Sequence, residues 1–415
     1  MRRDFSVADE VVQAVDEIIS IVRADGDRGL CGLTRRFDGA SLQPEDLRVT
    51  PDEIRTAYRM VDDKFLQALK TARDRIYEFH CRQISRSWLE TGDEIITGQM
   101  VRPLERVGIY VPGGTAAYPS SVLMNALPAK AAGVKEIVMV TPPARNGTVN
   151  PHTLVAASEA GVTEIYRVGG AQAVAALAYG TEHIRKVDKI TGPGNIYVTQ
   201  AKQRVYGQVD IDMLAGPSEV FIIADTSIDP AFAAADMLAQ AEHDPMAKAV
   251  LATPSWELAA GVRDELRRQL EKLPRQEVLA QSVEKGCLIV VTRDLEEAFG
   301  LANRFAPEHL EIMVANPWTW LGRVRNAGAV FLGAHTPVPV GDYAGGPNHV
   351  LPTGGTARFF SALGTDAFVK RINVMSCSPR GLLQIRDSII DLAETEGLAA
   401  HAEAVRIRFE GGEKN

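Results

Sequence analysis

A carboxylate and an imidazole stand side by side at Glu308 and His309, directly after Pro307. Proline fixes its own φ angle and disfavours a helical conformation in the residue before it, so a loop-to-strand junction is expected here. At an irregular junction both side chains can turn into one cleft, whereas neighbours inside a strand point to opposite faces. Two proton carriers of different intrinsic pKa could then serve one substrate as general acid and base. The alternative is an exposed Glu-His pair ahead of a buried strand.

A second group of polar residues lies in segment 238–245. If the helix predicted over 229–242 continues through this segment, Gln240 and His243 lie three residues apart on one helix face. Histidine is a common metal ligand and glutamine a rare one. A histidine near the C-terminus of a helix is also favoured by the helix dipole alone, so the spacing leaves both interpretations open. The H-E-x-x-H motif of hydrolytic zinc enzymes is absent from the sequence.

A third group occurs in the glycine-rich loop 341–349, where Asp342 and His349 suit a metal or the recognition of a polar ligand. In the alternative interpretation the loop is only structural, and its Asp and Asn residues cap turns. His401 lies near the end of the chain, and its surroundings alone indicate a histidine exposed to solvent. The other histidines have no suggestive neighbours and are expected to be structural or exposed: His80, His152, His183 and His335.

Glycine-rich turns at 111–114, 168–172 and 191–195 follow predicted strands or short apolar runs. In an open α/β sheet, ligands collect at the carboxyl ends of the strands, where such turns lie. Glycine lets the backbone approach a phosphate closely, and the N-terminus of a following helix favours negative charge. No complete G-x-G-x-x-G motif follows a strand, so a nucleotide site and plain tight connections both stay open.

Short apolar runs alternate with helical patterns from about residue 106 onwards, which predicts βαβ units, parallel sheets and two α/β lobes. The first hundred residues have mostly helical patterns, with a candidate capping box at 6–9 and a helix break at Gly26. A short polar end follows at 411–415. The predicted strands cover 107–111, 137–140, 164–168, 209–213, 220–224, 249–252, 288–291 and 329–332. The predicted helices after the first cover 51–83, 122–132, 171–179, 229–242, 256–273, 295–305 and 382–395.

Composition and charge disfavour several functional classes. The 415 residues suffice for two or more domains, and 46% of them are hydrophobic. The net charge of −8 is interspersed along the chain, so neither nucleic acid nor an anionic membrane is an expected partner. Because no signal peptide or membrane span is indicated, a cytoplasmic location is expected. The four cysteines are scattered without a C-x-x-C pair, which argues against a disulfide framework or a thiolate zinc site.

Taken together, several separated motifs resemble those of the histidinol dehydrogenase family. They occur in the family's order across most of the chain, at 107–114, 118–124, 168–172, 192–195, 215–219, 240–243, 306–309, 341–353 and 396–401. No single motif is decisive, but their ordered combination is highly specific.

The resemblance implies a fold of two incomplete Rossmann-like α/β domains with parallel sheets. Helices would precede them, and a small C-terminal tail region would swap between subunits. The implied domains are 1–106 together with 217–363, an inserted second domain at 107–216, and a dimerisation segment at 364–415.

The resemblance also implies an NAD-dependent enzyme that oxidises L-histidinol to L-histidine through L-histidinal, with two NAD and one water, in the last two steps of histidine biosynthesis. In this family a Zn²⁺ ion is held at the positions of Gln240, His243, Asp342 and His401, the last supplied by the partner chain of a domain-swapped homodimer. The implied NAD contacts are Tyr110, Gln172 and Asn195. The implied substrate contacts are Ser218, Gln240, His243, Glu308, His309, Asp342, His349, Glu396 and His401.

In this family the histidine at position 309 would remove the alcohol proton, and the carboxylate at 308 would activate water to attack the aldehyde. No cysteine lies inside a matched motif, which argues against a thiohemiacetal route for the aldehyde. Two other hypotheses stay open. The same scaffold could oxidise another small polyol such as a sulfopropanediol, or the chain could be a zinc-binding protein without activity.

Overall fold

The structure is a computed structural model that describes residues 7–92, 94–113, 117–274 and 276–410. Ser6 of the predicted capping box, Gly114 of the first glycine turn and the polar end 411–415 lie outside the described residues. The described strands are β1 Trp88–Thr91, β2 Ile95–Pro103, β3 Arg106–Tyr110, β4 Glu136–Val140, β5 Glu164–Tyr166, β6 Lys189–Thr191, β7 Asp210–Ile211, β8 Glu219–Ala224, β9 Lys248–Thr253, β10 Cys287–Val291, β11 His309–Met313, β12 Ala329–Leu332 and β13 Val369–Cys377. The described α-helices are α1 Asp9–Asp38, α2 Pro51–Met60, α3 Asp63–Cys81, α4 Pro119–Ala132, α5 Pro151–Ala160, α6 Gly170–Tyr179, α7 Ile196–Val205, α8 Pro230–Ala241, α9 Trp256–Leu270, α10 Gln276–Gly286, α11 Leu295–Phe305, α12 Pro317–Trp320, α13 Pro379–Thr395 and α14 Ala399–Arg406.

The first parallel sheet has the strand order β5-β4-β3-β6-β7. Its central strand β3 is buried along its whole length because helices cover both faces. Residues of α3, α4 and α5 pack on one face, and residues of α1, α6 and α7 pack on the other. Strands buried on both faces appear in a sequence as continuous apolar runs, which is why the pattern at 107–111 was informative.

The second parallel sheet has the strand order β10-β9-β8-β11-β12. Helices α8, α9 and α10 pack on one face, and α11 packs on the other. Counted along the chain, each sheet has the order 3-2-1-4-5, which is the Rossmann order without its sixth strand. The predicted pair of incomplete Rossmann-like domains with N-terminal helices is therefore confirmed, whereas the swapped tail stays a prediction.

Contacts divide the chain into two units. Met1–Ile84 and Leu104–Phe368 form the first unit, which contains both parallel sheets. Ser85–Pro103 and Val369–Asn415 form the second, with an antiparallel sheet in the order β1-β2-β13 and the helices α13 and α14. The finer domain boundaries drawn from the sequence stay a prediction.

Several elements differ from the predicted ones. The helix that was expected to end at Gly26 only kinks there, with φ 55°, and continues to Asp38. The helical sequence predicted over 51–83 forms two helices, because Asp62 starts α3 by accepting a hydrogen bond from the backbone amide of Phe65. The elements without a predicted counterpart are β1, β2, β6, β13, α5, α7, α10, α12 and α14. Across the described part of the chain, the structure has no helix with the length and apolar character needed to cross a bilayer.

Candidate active site

The Glu308–His309 junction has the predicted form. Helix α11 ends at Phe305, Ala306 adopts a left-handed conformation with φ 49°, and β11 begins at His309. Only 6% of Glu308 and 5% of His309 are exposed. The alternative of an exposed Glu-His pair is therefore wrong.

The backbone of one residue, Glu219 at the start of β8, fixes both side chains. The Glu219 amide donates a hydrogen bond to Glu308 Oε2 at 2.9 Å, and the Glu219 carbonyl oxygen accepts one from His309 Nδ1 at 3.0 Å. Parallel pairing of β8 with β11 brings them together, since His309 lies opposite Val220. Glu308 Oε2 and His309 Nδ1 are 3.6 Å apart, so the carboxylate and the imidazole belong to one site.

The contact with Glu219 decides which nitrogen of His309 is basic. A carbonyl oxygen can only accept, so Nδ1 carries the proton of the neutral ring and Nε2 keeps its lone pair. Nε2 is buried and has no hydrogen-bond partner among the described residues. Burial lowers the pKa of His309 to about 4, and the charges of His243 and His349 act in the same direction. The ring is therefore neutral at neutral pH, with Nε2 available as a proton acceptor.

The pKa of Glu308 is shifted in the opposite direction. Burial raises the pKa of its carboxyl group well above the ordinary value, and the nearby carboxylates of Glu219 and Asp342 add to the rise. Hydrogen bonds from the Glu219 amide and the Ser218 hydroxyl favour the charged form, and they therefore oppose this rise in the pKa. A carboxyl group with a raised pKa can take up and release a proton near neutral pH. Ser218, a predicted substrate contact, therefore lies beside the carboxyl group expected to handle water.

Gln240 lies in the last turn of α8, and only 3% of it is exposed. Neither the oxygen nor the nitrogen of its side-chain amide has a hydrogen-bond partner within the described ranges. Burying an amide without partners is costly, which is expected where an absent ligand completes the site. The helix does not continue through His243 as supposed. It ends at Ala241, and the His243 amide donates to the Gln240 carbonyl oxygen at 3.4 Å in the turn that follows.

Asp342 and His349 are joined by a hydrogen bond from His349 Nδ1 to the backbone carbonyl oxygen of Asp342, at 2.9 Å. Asp342 belongs to a π-helical turn, Val340–Ala344, where the sequence indicated an irregular loop. Burial raises the pKa of Asp342 to about 6 and lowers that of His349 to about 4. As in His309, the lone pair of the neutral His349 ring lies on Nε2.

The side chains of Glu308, His309, His243, Asp342 and His349 form one cluster. The charge of His243 acts on both His309 and His349, and that of Asp342 acts on Glu308. The cluster lies at the amino edge of the second sheet, where β8 and β11 begin and α8 ends. The general expectation that ligands bind at the carboxyl ends of strands therefore does not hold for this cluster.

Gln240, His243 and Asp342 offer nitrogen and oxygen donors of the kind that Zn²⁺ accepts, and the partnerless amide of Gln240 fits a ligand position. Considering only the residues that the structure describes, no group of three or more His, Cys, Asp and Glu side chains could hold a metal ion. His401 in α14 and Glu396 at the C-terminal cap of α13 belong to the second unit. The predicted ligand set and substrate contacts therefore stay predictions.

The three predicted NAD contacts lie at or beyond carboxyl ends of strands in the first sheet. Tyr110 ends β3, and its hydroxyl accepts a hydrogen bond from the Gly170 amide at 3.0 Å. Gln172 lies in the first turn of α6, buried, and its Nε2 has no partner in the described part of the chain. Asn195 caps α7, because its side-chain oxygen accepts from two backbone amides of that helix at 3.1 Å. The partnerless amide nitrogen of Gln172 fits a polar ligand.

A short segment of the chain joins the carboxyl edge of the first sheet to the amino edge of the second sheet. Residues 212–219 run from the carboxyl edge of the first sheet to the amino edge of the second. A segment of this length spans at most about 25 Å. This short segment therefore joins the edge that carries the expected NAD contacts to the edge that carries the expected proton carriers, Glu308 and His309.

Sequence reasoning missed the part played by Glu219, whose backbone holds the Glu308–His309 pair. The available signal was an acidic residue at the start of an otherwise apolar strand. His80 is structural, as predicted: its Nδ1 donates to Gln83 Oε1 at 2.7 Å, and its Nε2 accepts from the Asn348 side-chain amide at 3.2 Å. This contact holds Asn348 in place and so supports the loop that carries His349.

Comparison with known proteins is consistent with this geometry. The sequence profile described as histidinol dehydrogenase matches residues 1–409. The chain belongs to the histidinol dehydrogenase family. The histidinol dehydrogenase of Moorella thermoacetica is 56% identical over 402 residues, which are 96% of this chain and 95% of that protein. That of Heliobacterium mobile is 55% identical over 397 residues, which are 95% of this chain and 93% of that protein.

A solved structure shows the same family. The crystal structure of histidinol dehydrogenase from Elizabethkingia anophelis is 39% identical in sequence, with a TM-score of 0.94. The match covers 99% of this chain and 94% of that one. The family resemblance seen in the ordered motifs is thereby confirmed, and the chain is an oxidoreductase.

Proposed function

We propose that the chain oxidises L-histidinol to L-histidine through L-histidinal, with two NAD and one water, in the last two steps of histidine biosynthesis. Membership of the family supports the substrate and the class of reaction. The observation that carries the chemistry is the pair Glu308 and His309, held by the Glu219 backbone with His309 Nε2 available as a proton acceptor. As a biosynthetic enzyme, it works in the cytoplasm.

NAD, when bound, accepts one hydride in each of the two oxidations. Tyr110, Gln172 and Asn195 would contact it at the carboxyl edge of the first sheet. Gln240, His243 and Asp342 would hold a Zn²⁺ ion together with His401 of the partner subunit, in a homodimer with shared active sites. That ion would supply positive charge that helps to hold and orient the substrate.

In the first oxidation, His309 takes the proton of the alcohol. Its Nε2 is the acceptor, because Nδ1 already donates to the Glu219 carbonyl oxygen. The carbon loses a hydride as the oxygen loses this proton, so the alcohol becomes the aldehyde and one NADH forms. The low pKa of His309 keeps the ring unprotonated at the start of the step and lets the acquired proton leave readily.

In the second oxidation, Glu308 takes a proton from the water that adds to the aldehyde. The raised pKa of its carboxyl group increases its strength as a base once it is ionised, and the donors Glu219 N and Ser218 Oγ help to keep it ionised. The resulting hydrate anion loses a hydride, which gives the carboxylic acid and the second NADH, and the acid then releases its proton to become the carboxylate. Burial of both side chains limits access of bulk water to the aldehyde.

Recognition of the substrate is expected to involve two further residues. His349 and Glu396 would face the imidazole and amino groups of histidinol. The His349 ring is held by the Asp342 carbonyl oxygen, with its Nε2 as the hydrogen-bond acceptor. An imidazole N–H group of the substrate can donate a hydrogen bond to this nitrogen.

Product analysis tests this proposal. Purified protein incubated with L-histidinol and NAD should form L-histidine, identified by chromatography, and a sulfopropanediol should give no NADH. Turnover of the sulfopropanediol without turnover of histidinol would assign the scaffold to another alcohol. Stoichiometric zinc binding with no turnover of either compound would indicate a protein without activity.

A further inference from the structure

Gly192 occupies a restricted position directly after β6, at the carboxyl edge of the first sheet. Its φ of +115° is a conformation that residues with a side chain rarely adopt. A Cβ atom at this position would lie 2.1 Å from the carbonyl oxygen of Tyr110. The turn 192–194 is therefore packed against the end of β3, next to one predicted NAD contact and three residues before another, Asn195.

Two buried side chains hold both polar backbone atoms of Gly192. Its amide donates to Asp212 Oδ2 at 2.8 Å, and its carbonyl oxygen accepts from Lys202 Nζ at 3.0 Å. Lys202 and Asp212 also form an ion pair with each other, with 3% and 1% of their side chains exposed. The second carboxylate oxygen of Asp212 accepts from the Met213 amide at 2.7 Å. We call Lys202 and Asp212 the clamp.

A buried ion pair is not by itself a reason to expect a function. Removing two charges from water is costly, and such a pair is often no more stabilising than apolar residues of similar volume. This pair, however, is joined to the turn through two hydrogen bonds, one to each polar backbone atom of Gly192. Its geometry therefore indicates that the pair maintains the conformation of the turn.

A second Lys–Asp pair, which joins the strands β6 and β7 themselves, provides a comparison. Lys189, at the start of β6, lies 2.8 Å from Asp210 Oδ2 at the start of β7, and its Nζ also donates to the Ala367 carbonyl oxygen. Only 9% of the Lys189 side chain is exposed. This control pair lies at the amino ends of the strands, opposite the edge that carries the glycine turn.

We infer that Lys202 and Asp212 are positioning residues for NAD. They hold the turn 192–194 in the conformation that places Tyr110 and Asn195 for the cofactor. The turn is therefore already ordered before NAD binds. The inference rests on the proposed function for the identity of the ligand. Without the clamp, the turn must be ordered at the expense of binding free energy, and NAD is expected to bind about tenfold more weakly.

The test compares the double variant Lys202→Met/Asp212→Asn with the double variant Lys189→Met/Asp210→Asn. Both exchanges remove a whole ion pair, so neither leaves a buried charge without its partner. The first should raise the Kd for NAD about tenfold, with the Kd for L-histidinol unchanged. In the NAD-free protein, it should also speed amide hydrogen exchange at Gly192. The control variant should change neither quantity.

An unchanged Kd for NAD, or the same rise in both double variants, would overturn the inference. If the first double variant does not fold, Asp212→Asn compared with Asp210→Asn decides by the same measurements. The hydrogen-exchange comparison needs no cofactor. If the unaltered protein fails to bind NAD, the proposed function fails, while faster exchange in the variant still shows that the clamp orders the turn.

Discussion

In the metal-free protein, replacing His309 by glutamine should reduce the amount of folding stability that is lost on acidification. The pKa of His309 in the folded chain is about 4, against an ordinary value near 6.5. A histidine whose pKa is lowered by folding contributes stability that is present above pH 6.5 and is lost as the pH falls toward the folded value. Between pH 7 and pH 5, that loss is about 2 kcal/mol for this shift, since each pKa unit corresponds to about 1.4 kcal/mol.

The assay is urea unfolding at pH 7 and pH 5, in the presence of a chelator, for the unaltered protein and for His309→Gln. The difference in unfolding free energy between the two pH values should be about 2 kcal/mol smaller in the variant. Glu308 remains in both proteins, so the opposite effect of its raised pKa largely cancels in the comparison. An equal pH dependence in the two proteins would refute the assignment of a buried, neutral imidazole.

A second histidine supplies a control of opposite sign. His183 lies at the surface beside Asp27, and its hydrogen bond to that carboxylate raises the pKa of the imidazole. A raised pKa gives stability that is present at low pH and is lost as the pH rises through the folded value. His183→Gln should therefore make the protein lose more stability on acidification, not less. A change in the same direction as that of His309→Gln would show that the effect is not specific to the site.

Three further predictions concern catalysis, metal and assembly. Glu308→Gln should slow the oxidation of supplied L-histidinal by at least about a hundredfold, because the base for water is lost; steady-state rates with L-histidinal check this, and an unchanged rate would contradict the role. Gln240→Ala and Asp342→Ala should each lose zinc on dialysis, as metal analysis would show, whereas full retention would contradict the ligand set. Mixing equal amounts of His401→Ala and His309→Gln, unfolded and refolded together, should restore about a quarter of normal activity if the sites are shared between subunits. No recovery beyond that of the separate variants would contradict shared sites.

The parallel sheets were predictable from the sequence because their strands are buried on both faces. Strands such as Glu219–Ala224 and Lys248–Thr253 are apolar runs of sufficient length between helical patterns. Strand β6 covers only Lys189–Thr191, and its buried lysine obscures the apolar pattern. Strand β13, Val369–Cys377, is mostly exposed and belongs to an antiparallel sheet whose pairing with β2 spans most of the chain. Neither strand has a local pattern that distinguishes it from a loop.

The candidate site could be proposed from the sequence as a set of residues, but its geometry could not. The motif around Glu308 and His309 pointed to candidate proton carriers, and Pro307 indicated the junction. Their orientation depends on Glu219, which is about 90 positions away and is brought near only when β8 pairs with β11. Burial determines the direction of both pKa shifts, and burial follows from packing that no local spacing contains.

The number of NADH molecules formed per molecule of L-histidinol tests the central claim most directly. With limiting L-histidinol and excess NAD, absorbance at the end of the reaction gives this ratio. A single site that oxidises the alcohol and then the aldehyde hydrate should give about two NADH per histidinol, with L-histidine as the product. One NADH per histidinol, with L-histidinal accumulating, or no NADH at all, would contradict the assignment of both oxidations to this chain.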